Sequence, residues 1–438
     1  MWLGVRPQCD RGAAPEASPV MKHRTLVLTT AFAGTALLFA AEATKRMEET
    51  IFVPYGHKAI RYFETPSDNP VSRLDDQLDK GKATLDYAPD GFGYLPAVLQ
   101  KFGLNKDSQV LVYSQSSFQA PLISRRRPRA LYFDDNISVG YVPGGEVYEV
   151  TAFDPKQGVI FYSLETKQRA KPSFARREVC LQCHQGAQTL AVPGLVVASA
   201  YIPKGVAEHT RGGFVTDGRT DLEDRWGGWY VSGELGTNKH LGIMIPAAPG
   251  LPADDQMPDP ARYLSPYSDV VALMTLEHQS RITNILTRIG WDTRIATYEG
   301  KMKSFSPQLD SEINEMVIYM LFADEAPLLA PIKGVSTFTQ TFAAKGPRDK
   351  QGRSLRDFDL QSRLFKYPMS YMVYNKAFDA LPKFALDRIY QRLYDVLSGK
   401  DTGEKFAKLT PEDRTAVLDI LRETKPNLPA YWKTAVPK

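Results

Sequence analysis

The chain has 438 residues, 43% of them hydrophobic and 11% aromatic, with a formal net charge of +4. That is enough apolar material for a real core and two or three domains, which excludes a disordered chain. So small a charge argues neither for nucleic acid nor for an anionic membrane surface, and no P-loop, dinucleotide fingerprint, G-x-S-x-G or H-E-x-x-H run occurs.

Residues 1–20, which contain Cys9, show no periodicity and read as an upstream extension. Met21 opens a better pattern. Lys22, His23 and Arg24 form a positive start, residues 25–41 are uncharged and apolar, and Ala41-Glu42-Ala43 offers a cleavage site. Residues 1–43 are therefore expected to be an extension and signal peptide, with translation starting at Met21. An uncleaved membrane anchor is the alternative, although the run is short for a span. Either way the remainder is exported, in a bacterium to the periplasm.

Residues 44–166 read as a β-rich unit. Asn69-Pro70 opens a short helix by the N-cap and N1 preferences, with Val71, Leu74 and Leu78 on one face. A second helix is expected near residues 95–102. Strands are expected at residues 110–113, 130–133, 137–141, 147–152 and 159–163, separated by Asp-, Asn-, Pro- and Gly-rich turns. The spacing predicts an antiparallel arrangement. The basic run Arg125-Arg126-Arg127-Pro128-Arg129 is expected to be a solvated loop, with haem propionates or an acidic partner as the sharper alternative. His57 is expected at the surface.

Residues 167–265 contain the stretch that carries the chemistry, Cys180-Leu181-Gln182-Cys183-His184. Two thiols three residues apart can add to the two vinyl groups of a haem, and the histidine that follows then lies beneath the iron as proximal ligand. With three cysteines and six histidines in the chain, such a run arises by chance roughly once in several thousand chains. A zinc knuckle would want a second Cys/His pair, and the remaining cysteine, Cys9, lies in the segment expected to be removed. A redox dithiol would leave His184 unexplained. The expected cofactor is thus one covalent haem c, on Cys180 and Cys183 with His184 on the iron. Pro172 is expected to open the helical turn that presents these residues. Further on, Arg225-Trp226-Gly227-Gly228-Trp229-Tyr230 interleaves aromatics with glycines, as for backbone packed closely against a flat apolar partner. A porphyrin face and an ordinary aromatic core turn both satisfy that pattern.

Residues 266–438 read as a helical unit. Residues 268–289 place Val271, Met274, His278, Ile282, Ile285 and Ile289 on one face, and further helices are expected at residues 311–321, 363–374, 381–397 and 410–422. Thr410, Pro411 and Asp413 occupy the N-cap, N1 and N3 positions of the last. The expected fold class is α+β: a β-rich N-terminal part, a central CxxCH segment and a helical C-terminal part.

A six-coordinate iron needs a distal ligand, for which His209, His240, His278, Met244 and Met257 are available downstream. His278 and His240 lead, Met257 follows, and an open position is the remaining choice. The chain resembles a family of uncharacterised exported bacterial proteins described as cytochrome c domain-containing. The likeness rests on Cys180 to Gln185, Val192-Pro193-Gly194, Arg225 to Val231, Leu276-Glu277-His278-Gln279 and Ala377-Phe378-Asp379-Ala380-Leu381-Pro382. It implies a monohaem protein and supplies no reaction. Members carry histidines at the positions of Gly218 and Leu235, and their absence here leaves His240 and His278 in play. The expected function is single-electron transfer to or from a redox partner protein. The alternative is a peroxidase- or oxygenase-like haem enzyme with an open distal side, in which Glu277 or His278 handles protons.

Overall fold

The computed structural model describes residues 55–200, 213–245 and 257–433, all within one compact unit, Lys45–Lys438. The extension, the signal segment with its cleavage site, and His209 lie outside the described residues.

Among the described residues, two helices come first and cover one face of a sheet. Helix α1 (Pro70–Asp79) starts where the Asn69 side chain accepts from Ser72 N and the Ser72 hydroxyl accepts from Asn69 N, and it buries Val71, Leu74 and Leu78. Helix α2 (Leu95–Phe102) follows and ends at Gly103 in the left-handed region. Strands β1 (Val110–Val112), β2 (Arg129–Phe133), β3 (Ile137–Tyr141), β4 (Val147–Asp154), β5 (Gly158–Glu165) and β6 (Ala175–Arg176) then form an antiparallel sheet in sequence order. The β-rich expectation and the α+β class both hold.

Because side chains alternate across a strand, the register sorts the sheet into two faces. The pairs Tyr132↔Val139, Val139↔Val150 and Val150↔Tyr162 lie on the face that packs with α1 and α2. The pairs Leu131↔Gly140, Gly140↔Glu149 and Thr151↔Phe161 lie on the other. On that second face Val110, Val112, Phe133 and Phe153 join the core of the C-terminal helices. The hydrophobic interior therefore crosses the boundaries at 166 and 265 read from the sequence.

Strand β6 pairs with β5 through Tyr162↔Arg176 and Ser163↔Ala175. This pairing keeps the chain extended past Pro172, so the helical turn starts later than expected. A tight turn at Glu178–Cys180 runs into helix α3 (Leu181–His184). Strands β7 (Ala198–Ala200) and β8 (Gly213–Val215) pair with each other, as do β9 (Tyr230–Val231) and β10 (Ile243–Met244). The aromatic–glycine stretch is a protein-packed turn. A Cβ on Gly227 would lie 2.0 Å from the Ala200 carbonyl oxygen, and Trp229 Nε1 donates to the Ala198 carbonyl at 2.8 Å. Trp226 is fully buried. Of the two partners that pattern allows, backbone has taken the close approach.

Helix α4 (Val270–Tyr298) spans 29 residues and is buried along most of its length; the Asp269 carboxylate caps it by accepting from Val271 N and Ala272 N. It packs on β5 and on the helices that follow: α5 (Met302–Met320), α6 (Phe338–Ala344), α7 (Lys376–Asp379) and α8 (Lys383–Leu397). Helix α9 (Pro411–Thr424) has the expected cap, with Thr410 and Asp413 satisfying each other's backbone N–H groups. The helix expected over residues 363–374 is reduced to a single turn at Tyr371–Tyr374, whose aromatic side chains are held by tertiary contacts. Among the described residues no helix is long and apolar enough to cross a membrane.

Candidate functional site

The site is built where α3 meets the second face of the sheet. Arg177 N donates to the Phe161 carbonyl at 2.8 Å, tying the start of the turn to β5. Leu181 is buried, Cys180 is half-buried and Cys183 is exposed; the two cysteines are not bonded to each other. The His184 ring sits 4.9 Å from the Phe161 ring, centre to centre. Its Nδ1 lies 3.0 Å from the Gly194 carbonyl oxygen. A carbonyl only accepts, so Nδ1 carries the proton and Nε2 keeps its lone pair. Gly194 N donates back to the His184 carbonyl at 3.0 Å, closing an eleven-residue loop, 184–194, at both ends.

Helix α4 holds that loop from behind. Asn284 accepts from Leu195 N at 2.8 Å and donates to the Leu195 carbonyl at 2.7 Å. Arg288 Nη1 donates to the Leu190 carbonyl at 3.0 Å. Within the loop the Thr189 hydroxyl donates to the Val192 carbonyl at 2.7 Å, and Leu190 and Ala191 both take left-handed backbone angles, φ 58 and 61. A Cβ on Gly194 would lie 2.3 Å from Asn284 Oδ1, so glycine is required there by close approach.

The electrostatics suit a neutral ligand and uncharged sulfurs. Burial lowers the proton affinity of His184, with the Gly194 hydrogen bond opposing it. Burial pushes the Cys180 thiol up to about 11, and the nearby Glu149 carboxylate adds to this. A thiolate is therefore disfavoured there, which fits poorly with a nucleophilic or redox thiol. A thioether carries no charge and escapes that cost. Burial by itself would raise Glu149, yet Arg129 Nη1, at 2.8 Å, holds it below the ordinary carboxylate range. Arg129 thus leaves the solvated basic run and forms a partly buried pair beside Cys180 and His184, with its Nε–H buried and without a hydrogen-bond partner.

The distal candidates are placed less favourably. Gly242 N donates to His240 Nδ1 at 3.1 Å, so in this arrangement the Nε2 of His240 carries the ring proton. The His240 ring leans on Trp226 at 5.4 Å. His278 is fully buried between Tyr319, at 5.2 Å, and Phe322, at 4.5 Å, with Nε2 2.7 Å from the Ser370 hydroxyl. Burial pushes His278 down to about 3. Its Nδ1 has no hydrogen-bond partner but is enclosed by protein. Met257 is partly buried and Met244 exposed. Glu277, cast as a proton handler in the enzyme alternative, is fully enclosed and already accepts from Thr216 Oγ1 at 2.8 Å and Arg225 Nη1 at 3.2 Å.

No protein-family model matches this chain, and no curated protein or solved structure does so at a significant level. The site must therefore be read from its own chemistry. Among the described residues no group of three or more His, Cys, Asp or Glu side chains could hold a bare metal ion. The residues that sequence reasoning missed are Asn284 and Arg288. Their signal was a polar stripe, Glu277, Arg281, Asn284 and Arg288, at i, i+4, i+7 and i+11 of a helix that is buried around most of its circumference.

Proposed function

We propose that this protein is an exported monohaem c-type cytochrome that passes single electrons. Cys180 and Cys183 form the thioethers and His184 binds the iron on the proximal side. The observation that carries this reading is the His184 Nδ1–H bond to the Gly194 carbonyl, which leaves Nε2 free and orients it. A ring nitrogen destined for a metal is ordinarily freed in this way, by a backbone acceptor on the other nitrogen. The residues fit a haem c: one half-buried thiol at the N-cap of α3, with an exposed thiol and a neutral imidazole inside that short helix. When bound, the group supplies a one-electron ferric–ferrous couple. The chain supplies attachment, the ligand's tautomer and a low-polarity setting against Phe161. Cys183 and Val179 are exposed, so the attachment stretch reaches the surface where a redox partner protein can dock.

A second reading, a ligand-binding or catalytic haem with an open sixth position, is favoured by one observation. Both leading distal histidines are engaged elsewhere, His240 through Nδ1 and His278 inside its aromatic cage.

Two measurements test these readings on protein expressed with export and haem maturation. Haem should stay with the denatured wild-type chain and be lost from the chain carrying both Cys180→Ala and Cys183→Ala; retention by that variant refutes covalent attachment. A purely low-spin spectrum indifferent to carbon monoxide and cyanide supports the carrier, whereas high-spin iron that binds them replaces it with the open-site reading.

A further inference from the structure

The peptide unit between Gly194 and Leu195 is held at both ends. Its carbonyl accepts from His184 Nδ1 at 3.0 Å, and its N–H donates to Asn284 Oδ1 at 2.8 Å. Asn284 Nδ2 then reaches the Leu195 carbonyl at 2.7 Å, so the amide is fixed in its plane by two bonds. Asn284 is itself 2% exposed and stands mid-way along α4, a rigid and buried element. Gly194 has no side chain because Asn284 occupies the space where one would go.

We infer that Asn284 is a positioning residue for the iron's proximal ligand, acting through the Gly194–Leu195 peptide on His184. The inference rests on the haem reading above. A peptide whose N–H is engaged becomes a better acceptor at its carbonyl, because hydrogen bonds in a chain polarise one another. A better acceptor draws the Nδ1 proton outward and makes the imidazole a stronger donor to a metal, as outer partners of metal-bound histidines do. A stronger donor favours ferric over ferrous iron. Asn284 therefore lowers the reduction potential and, by fixing the peptide plane, narrows the range of His184 orientations. The long buried helix is the part of this chain that a minimal haem-wrapping domain would lack, and the inference gives it a role at the iron.

The test uses the full exported holoprotein and three variants, each first checked for covalent haem after denaturation. Asn284→Leu removes the acceptor; the reduction constant is expected to rise by up to about tenfold, about 59 mV for one electron. The His184 Nδ1 proton should exchange faster with water in the same variant. Asn284→Asp keeps an acceptor and, once ionised, strengthens it, so the potential should move the opposite way with a pH-dependent onset while the ring proton stays protected. Thr189→Val loosens the same loop at the Val192 carbonyl while leaving both Asn284 bonds to Leu195 in place, and it should lower stability while shifting potential and exchange less than Asn284→Leu does. Unchanged potential and exchange in Asn284→Leu overturn the inference, as does an equal shift in Thr189→Val. If Asn284→Asp does not fold, the exchange rate in Asn284→Leu decides alone. Wild-type protein without covalent haem refutes the cytochrome reading itself, a result distinct from haem-loaded variants that fail to shift.

Discussion

Replacing Gly194 with alanine should damage this site in proportion to the space Asn284 takes. The new Cβ would lie 2.3 Å from Asn284 Oδ1, 2.8 Å from its Cγ and 2.9 Å from Thr189 Cβ. The Asn284 amide must swing away and give up its bonds to Leu195 N and O, at 2.8 and 2.7 Å. Two such bonds are worth about 1 kcal/mol each, and residual crowding at Thr189 adds about 1 kcal/mol. A loss of about 3 kcal/mol is expected, read as a fall in the urea midpoint. Asn284→Ala alone should cost about 2 kcal/mol through the same two bonds. With Asn284 already truncated, Gly194→Ala meets only Thr189, and its cost should drop to about 1 kcal/mol. The double-mutant cycle should therefore show coupling of about 2 kcal/mol. A Gly194→Ala penalty below about 0.5 kcal/mol, or the same penalty in both backgrounds, would refute the close-approach argument.

Glu312 is buried against the Asp292 carboxyl, and burial first, with Asp292 second, pushes it up to about 8. Since the folded state holds this proton where the unfolded chain has released it, stability should fall as pH rises between about 4.5 and 8. Glu312→Gln should remove that slope in pH-dependent urea melts, and an unchanged slope would count against it. His278, pushed down to about 3 by burial, works in the opposite sense: the unfolded state alone takes the proton between about 6.5 and 3, so stability is lost as pH falls through that window. His278→Phe should abolish this acid-side loss and leave the haem spectrum unaltered; a changed spin state would instead make His278 a ligand. Arg225 and Glu277 form a pair with side chains 3% and 0% exposed. Arg225→Met should cost about 3–5 kcal/mol by stranding a buried carboxylate, and adding Glu277→Leu should restore more than half of it in thermal melts, whereas equal losses would show that the pair's charge is not the issue.

Local patterns were enough wherever the energetics are local. The caps at Asn69 and Thr410 depend on side chains bonding backbone within three residues, and both helices begin where those residues predict. The strands of the meander follow from alternation and turn residues, and all five appear in place. The reading failed where distant partners decide. Residues 363–374 carry helical spacing, yet Phe365 and Tyr371 pack with Phe342 from another helix, and a single turn remains. Pro172 loses its helical turn to a ladder with β5. The basic run was legible as charge, but that Arg129 would turn inward to Glu149 depended on the register of β2 through β4.

The same division holds at Cys180–His184. Spacing alone determines that two thiols and an imidazole share one short turn, because three residues of helix leave little freedom between them. Which ring nitrogen of His184 carries the proton was decided by Gly194, ten residues on, and the placing of Gly194 was decided by Asn284, ninety further along. The polar stripe on α4 marks Asn284, but nothing periodic in the sequence says that it pairs with the peptide after Gly194. The pairing becomes a hydrogen bond only once α4 is laid against the loop, and that packing is a property of the whole core.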